Sequence, residues 1–252
     1  MNLGRHKQDW ERLAEVDPLW AVLTVPGRKG GGWDEAAFFA TGEAEVAAVF
    51  ERVDGLGRPA RRERALDFGS GVGRLTRALG TRFDAVVGVD ISAEMIEHAR
   101  RLNEDYPACE FRLNMTSDLS QLESSSFDFV YSSIVLQHLP SAADIERYLA
   151  ELIRVARSDG LVVFGLPNHI PFPYSLQPRR RLYALLRGLG VSERWMLSRT
   201  PLTPMRMTSL SDAAVQEVLA QQDARVLDTE TADGRPVRER RYYVAPTGAT
   251  SR

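Results

Sequence analysis

The chain has 252 residues, 44% of them hydrophobic and 26% charged, with a formal net charge of -2. A chain of this size and composition can bury a full core, so one globular domain with a modest appendage is expected and a fibrous or disordered chain is excluded. The balanced charge leaves no basic footprint for nucleic acid, and no run approaches the ~18 apolar residues of a membrane span.

The single cysteine, Cys109, has no intramolecular partner. That fits a reducing compartment, and its place at the start of an apolar run suits a small packed residue. No signal-peptide pattern opens the chain, so a cytoplasmic protein is expected. His6, His98, His138 and His169 are scattered without partnered cysteines, so no metal site is expected.

In chain order, the first element is a helix over 7–24, with Trp10, Leu13, Ala14 and Trp20 apolar and a break at Asp17-Pro18. Residues 26–32, rich in glycine, read as a flexible loop. Helical spacing returns through Phe38, Phe39, Val46, Val49 and Phe50. A basic run (Arg61, Arg62, Arg64) reads as a solvated approach to the first strand. Strands and helices then alternate: strand 64–68, helix 73–80, strand 85–89, helix 92–103 with Ser92 as N-cap, and strand 109–113. A polar loop over 114–126, strand 127–132, helix 141–157 and strand 160–166 follow. This alternation predicts a doubly wound, mostly parallel α/β sheet. Residues 167–208, rich in proline, arginine, aromatics and methionine, read as an insert. Helix 209–221 and two strand-like runs, 223–230 and 240–245, around Asp233-Gly234-Arg235-Pro236 close the chain, and the tail from Pro246 is expected to fray.

The densest chemical signal is Ala65-Leu66-Asp67-Phe68-Gly69-Ser70-Gly71-Val72-Gly73. Glycine stands at every second position after Asp67, and the next apolar run, 85–89, ends on Asp90. Such a strand, turn and helix start brings bare backbone up to a ligand, while a carboxylate ending the second strand presents two oxygens to a ribose diol. A dinucleotide fingerprint requires glycine where this chain has Arg74. Asp67, just before the turn, would repel a pyrophosphate and welcome a cation. S-adenosylmethionine (SAM) carries an ammonium and a sulfonium and no phosphate, so the electrostatics favour it over NAD.

On these residues the chain resembles the class I SAM-dependent methyltransferases. The matching stretches are LDFGSGVGRL (66–75), GVDISAEMI (88–96), FRLNMTSDLSQL (111–122), SFDFVYSSIVLQHLP (126–140) and RYLAELIRVARSDGLVVFGLP (147–167), in that order. The resemblance implies a Rossmann-like, seven-stranded sheet with a C-terminal antiparallel hairpin. It also implies an N-terminal helical lid (1–60), a SAM-binding core (61–166), a helical substrate-cap insert (167–208), and a closing helix and hairpin (209–246). Within that frame Gly69, Ser70, Gly71 and Gly73 are expected at the methionine moiety. Asp67 is expected to receive the ammonium through water or a backbone bridge, and Asp90 both ribose hydroxyls. Ile91 and Met95 are expected to sandwich adenine, although Met95 suits ordinary helix core as well. Arg74 is read as orienting the loop, as bound to Asp67, or as an exposed helix-start residue.

Related methyltransferases often place an aspartate after the third strand to accept the adenine amino group. This chain reads Asn114-Met115-Thr116 there, so Asn114 or Thr116 is the expected acceptor and Met115 would lie on the ring; Asp118 is read mainly as a loop cap. Ser132 stands where a backbone carbonyl usually meets the ammonium. His138 and His169 are the candidate bases, His138 serving equally well as a partly buried structural residue.

The nucleotide-base amino methylases of this family carry an Asx-Pro-Pro-aromatic motif after the fourth strand. Here that place reads Ser132-Ser133-Ile134-Val135-Leu136-Gln137, which argues against DNA or RNA. Phe172, Tyr174, Tyr183, Trp195, Met196, Met205 and Met207, with Trp10, Trp20 and Trp33, are expected either to cap an apolar pocket or to glue the appendage to the sheet. Arg179-Arg180-Arg181 is read as a solvated helix face. The expected activity is methylation of a small organic molecule, at oxygen before nitrogen, by a monomer or homodimer. A role in bacterial secondary metabolism is implied by the resemblance alone. The alternatives are a non-catalytic SAM-binding regulatory or scaffold protein, kept open by Asn114-Met115, and a nucleotide-linked oxidoreductase, which Arg74 and Asp67 disfavour.

Overall fold

The computed structural model describes residues 3–232 and 237–247. The predicted turn at 233–236 and the tail after Thr247 lie outside the described residues. Seven strands form one sheet: β1 (Arg64–Phe68), β2 (Ala85–Asp90), β3 (Cys109–Leu113), β4 (Phe127–Ser132), β5 (Ala156–His169), β6 (Ala224–Ala232) and β7 (Arg238–Pro246). Their order is β3-β2-β1-β4-β5-β7-β6. The first five run parallel, and β7 lies antiparallel between β5 and β6. The chain builds outward from β1 through β2 to β3, then returns to lay β4 on the other side of β1. That reversal opens a crevice beyond the carboxyl ends of β1 and β4, where ligands bind in open α/β sheets.

Helices cover both faces because alternate residues of each strand are apolar to opposite sides. Leu66, Val87, Val130 and Val162 pack under α6 (Ala142–Val155) and α10 (Asp212–Gln221). Ala65, Val86, Phe129 and Val163 pack under α3 (Glu35–Val53) and α4 (Arg74–Leu79). α5 (Ala93–Leu102) lays Ile96 and Ala99 on Phe111 of β3, and Ser92 caps it as expected, accepting from the Met95 N–H. α3 is therefore part of the sheet core. Cys109 lies half-buried beside the Thr76 carbonyl, and burial pushes its thiol up to about 11.

The structure departs from expectation at several joins. β5 starts at Ala156, where Ala156 pairs with Phe127, and runs on to His169 because β7 supplies partners along that end. The polar Arg157-Ser158-Asp159 stretch resembles a turn in sequence, yet Arg157 and Asp159 pair with each other across it. The basic run is not merely solvated: Arg61 pairs with Asp159, Arg62 with Asp54, and Arg64 stacks on Phe127. The glycine-rich loop is tied down as well. Asp17, in the break between α1 (Leu3–Val16) and α2 (Pro18–Val22), accepts from the N–H groups of Trp20, Gly30 and Gly31.

The insert forms α7 (Phe172–Ser175), α8 (Pro178–Gly188) and α9 (Glu193–Arg199). Tyr183, Met196 and Leu197 bury against Leu13 of α1 and Phe38 of α3. No helix among the described residues is long and apolar enough to cross a membrane.

α1 is also docked by charge. Glu11 accepts from the Ser92 hydroxyl at 2.9 Å and from the N–H groups of Ala93 (2.9 Å) and Glu94 (3.1 Å). A carboxylate at the start of α5 satisfies amides that have no partner within the helix and sits favourably in its dipole. Glu11→Ala is expected to lower stability by about 1–2 kcal/mol and to speed amide exchange over residues 3–22. Urea unfolding and hydrogen exchange check this, and an unchanged midpoint with unchanged exchange would refute the docking role.

Candidate functional site

Four segments meet beyond the sheet: the turn after β1, the end of β2, the start of the loop after β3 and the segment after β4. With α1 and α2 above them they wall a cleft of about 940 Å³, its open mouth included. Of the residues expected in a site, Gly69, Ser70, Gly71, Asp90, Ile91, Met95, Asn114 and His138 line this cleft. His6, Trp10, Ala21 and Val22 line it from the N-terminal helices, and Ser133, Ile134 and Val135 from the loop after β4.

Gly69 turns with φ +76, and a Cβ there would come within 2.3 Å of a Val135 methyl. Only glycine lets the two loops approach this closely. Asp90 binds the cleft together, its two oxygens accepting from the N–H groups of Gly71 and Ser92 at 2.9 Å each. A carboxylate has about four acceptor sites, so capacity for two hydroxyl donors remains. Burial pushes its carboxyl up, and the Ser92, Gly71 and Ile91 amides oppose that shift. Ile134, a β-branched residue, holds φ +62 at the cleft wall. Such a conformation costs about 1–3 kcal/mol and concentrates at functional sites.

Six expected site residues stand elsewhere. Asp67 is 1% exposed beneath the loop, accepts from the Thr76 hydroxyl at 2.7 Å, and does not reach the cleft wall. Gly73 packs rather than binds: a Cβ would meet Asn103 at 2.6 Å and the Phe111 ring at 2.7 Å. Ser132 points into the sheet and donates to the Phe68 carbonyl, so the wall begins one residue later, at Ser133. Met115 is 63% exposed, 3.6 Å from the Lys7 ammonium. The exposed Thr116 hydroxyl lies between Asn114 Oδ1 and the Asp118 carbonyl, closing the loop on itself. His169 is exposed at the end of β5, where it pairs in register with Arg238 of β7, and lines no part of the cleft. Asn114 lines the cleft, but its Oδ1 already accepts from Thr116 and Gln121 and its amide donates to Asp118. It is therefore a loop brace more than an adenine acceptor.

Arg74 is neither exposed nor bonded to Asp67. It is buried and pairs at 2.8 Å with Glu45 of α3, which also accepts from Tyr131 and Ser133. Burial pushes the Glu45 carboxyl up, but Arg74, Ser133 and Tyr131 together hold it below its usual range. Sequence reasoning missed this brace. The available signal was an acid on the apolar stripe of α3, seven residues after Phe38 and four before Val49.

His138 ends a short 3₁₀ turn and touches Trp10 edge-on, with ring centroids 5.4 Å apart. Its Nδ1 lies 2.6 Å from the Arg206 carbonyl. A carbonyl only accepts, so Nδ1 carries the proton and Nε2 presents a lone pair, to which the Gln137 amide donates at 3.3 Å. Burial lowers the His138 pKa from 6.5, partly opposed by the Arg206 carbonyl, so the ring is neutral at pH 7.

A second cavity, about 770 Å³ with its open mouth included, shares His6, Trp10 and His138 with the first. Of the aromatic and methionine residues expected over an apolar pocket, Trp10 and Met205 reach it. Phe172 and Trp195 are 74% and 53% exposed, while Tyr183 and Met196 are spent gluing the insert to α1 and α3.

Residues 66–164 match a family model described as a methyltransferase domain. An uncharacterized 37.1 kDa protein in transposon TN4556 of Streptomyces fradiae is 41% identical over 110 residues, which is 42% of this chain and 30% of that protein. A ubiquinone biosynthesis O-methyltransferase of Neisseria meningitidis serogroup C (strain 053442) is 32% identical over 146 residues, 56% of this chain and 59% of that protein. The chain thus spans less than two thirds of the length of these curated relatives. Among solved structures, the DhpI–SAH complex superposes with a TM-score of 0.60 over 98% of both chains at 19% identity, a likeness of fold. The family match runs from β1 to β5 and includes each sheet-end loop that walls the cleft. Over that span the chain is similar to methyltransferase domains.

Proposed function

We propose that this chain transfers a methyl group from SAM to a small organic acceptor, at oxygen before nitrogen. The observation that carries the reading is His138. It stands neutral between the two cavities, its tautomer held by the Arg206 carbonyl, and Nε2 can take a proton once the Gln137 amide, 3.3 Å away, yields its place. SAM, when bound, supplies an electrophilic methyl on a sulfonium. Asp90 is suited to hold the ribose, and Ile91 and Met95 offer apolar walls to the base. The Gly69–Gly71 backbone and the loop from Ser133 suit the amino-acid end.

Asp67 lies beneath the loop and off the cleft wall, so of the two strand-end carboxylates Asp90 is the one that meets a ligand, and its free acceptor capacity suits the ribose hydroxyls. Because methyl transfer is an in-line displacement with a good leaving group, positioning contributes much of the rate and a base the remainder. α1 and α2 act as the lid, with Trp10 excluding water beside His138, and the 167–208 insert backs them from outside. A single half-buried thiol accords with a reducing cytoplasm. A place in secondary metabolism rests on the family resemblance.

The test is calorimetry with SAM, S-adenosylhomocysteine and NAD, followed by S-adenosylhomocysteine release with a panel of phenols, hydroxy acids and amines. SAM and its product are expected to bind, NAD not to bind, and release to depend on an added hydroxyl compound. Tight SAM binding with no turnover across the panel would favour the non-catalytic alternative. Failure to bind SAM would remove both readings.

A further inference from the structure

The second cavity lies between α1 and α8, with residues 204–206 as its third wall. Arg5, Arg180, Arg187 and Arg206 face it, and Asp9 is the one acid on its wall among the described residues. Asp9 is already committed to Arg187 at 3.0 Å. Arg206 donates to the Pro140 carbonyl. The side chains of Arg5, exposed at the mouth, and Arg180, half-buried, make no hydrogen bond or ion pair with other described residues, so both are free to meet an anion that enters. Arg180, Ala184 and Arg187 fall at i, i+4 and i+7, which puts both arginines on the one face of α8 that meets the cavity. The middle of the run read as solvated thus points inward. Burial and then the like charge of Arg206, with Arg187 and Arg181 adding to it, push the Arg180 guanidinium down, and Asp9 offsets this in part. Crowding unpaired guanidiniums on a concave wall is unfavourable unless an anion arrives, and the fork geometry of arginine fits carboxylate and phosphate oxygens.

We propose that this cavity holds the anionic group, a carboxylate or a phosphate, of the methyl acceptor, with Arg180 and Arg5 as its main contacts. The inference rests on the methyltransferase reading, because it makes the anion part of the acceptor. The cavity meets the methyl-donor cleft at Trp10 and His138, so an anion seated on α8 directs the rest of the acceptor past that histidine. The acceptor is then an acidic hydroxyl compound, and the arginines select it against neutral analogues.

The probes are benzoate and inorganic phosphate, titrated by calorimetry into the wild-type protein with and without saturating S-adenosylhomocysteine. Arg180→Gln, Arg5→Gln and Arg180→Lys are titrated in parallel, and turnover of 4-hydroxybenzoate is compared with that of its neutral methyl ester. At least one anion is expected to bind saturably. Its affinity should fall roughly 10-fold or more in Arg180→Gln, recover partly in Arg180→Lys, and weaken with added salt, while S-adenosylhomocysteine affinity stays within a factor of about two. The acid should turn over better than the ester. Whichever probe binds tighter tells carboxylate from phosphate. The proposal is overturned by no saturable anion binding at millimolar concentration, by equal binding in both glutamine variants, or by equal use of acid and ester. Loss of S-adenosylhomocysteine binding by the wild type overturns the underlying reading instead, and the titrations without it still judge the pocket.

Discussion

Asp90→Ala is expected to weaken SAM binding by about 1–3 kcal/mol, roughly 10- to 150-fold in Kd. Two effects add. The ribose loses its charge-assisted partner, and the Gly71 and Ser92 N–H groups lose the acceptor that joins the glycine turn to α5. The second effect reaches the protein without ligand, so a stability loss of about 1–2 kcal/mol should accompany the affinity loss. Asp90→Asn keeps one acceptor oxygen and should fall between the two. Calorimetry with SAM, read beside a chemical denaturation of each variant, separates the terms. An affinity equal to that of the wild type would remove Asp90 from the ligand site and leave it a loop brace.

Turnover by His138→Ala should drop ~10²-fold or more while S-adenosylhomocysteine affinity is kept, measured with the acceptor that the wild type uses best. The pH profile adds a sharper reading. A base works only when unprotonated, and burial lowers the His138 pKa from 6.5. The wild-type rate should therefore be level at pH 7 and above and fall only as pH drops through that lowered value. In His138→Gln the remaining rate should lose this acid limb. A rate within a few-fold of wild type, with the limb intact, would assign His138 to structure. His6 is a control from the same cavities: burial and the neighbouring His138 and Arg206 lower its pKa to about 4. It is therefore neutral across the range at pH 7 and above in which the rate should be level.

Much of the sheet was legible before the structure. β1, β3 and β4 fall where apolar runs stop at turn residues, and Ser92 caps α5 through a bond to an amide three residues away. The glycine turn and Asp90 were legible for a related reason, since close backbone approach and a strand-ending acid leave marks in adjacent residues. The acceptor side was not. Trp10, His138 and Arg180 stand far apart in the chain, and no local pattern says that α1, the loop after β4 and α8 converge. Composition pointed to aromatics in the insert, whereas packing spent Tyr183 on α1 and α3, left Phe172, Tyr174 and Trp195 exposed, and turned arginines to the cavity. Asn114 likewise has the chemistry of an adenine acceptor, yet its carbonyl oxygen is used by Thr116 and Gln121.

The amino-acid order alone determined the parallel α/β sheet, the glycine turn and the strand-ending carboxylate. These follow from backbone sterics and hydrophobic periodicity, which act over a few residues. Only the tertiary structure decided that Asp67 lies beneath the loop, that His138 faces a cavity while His169 faces solvent, and that Glu11, Glu45 and Arg187 find their partners. Those bonds join residues separated by 81, 29 and 178 positions. Over such separations a charge meets whichever partner the packed helices carry to it, and the pattern of its own segment holds no record of that meeting.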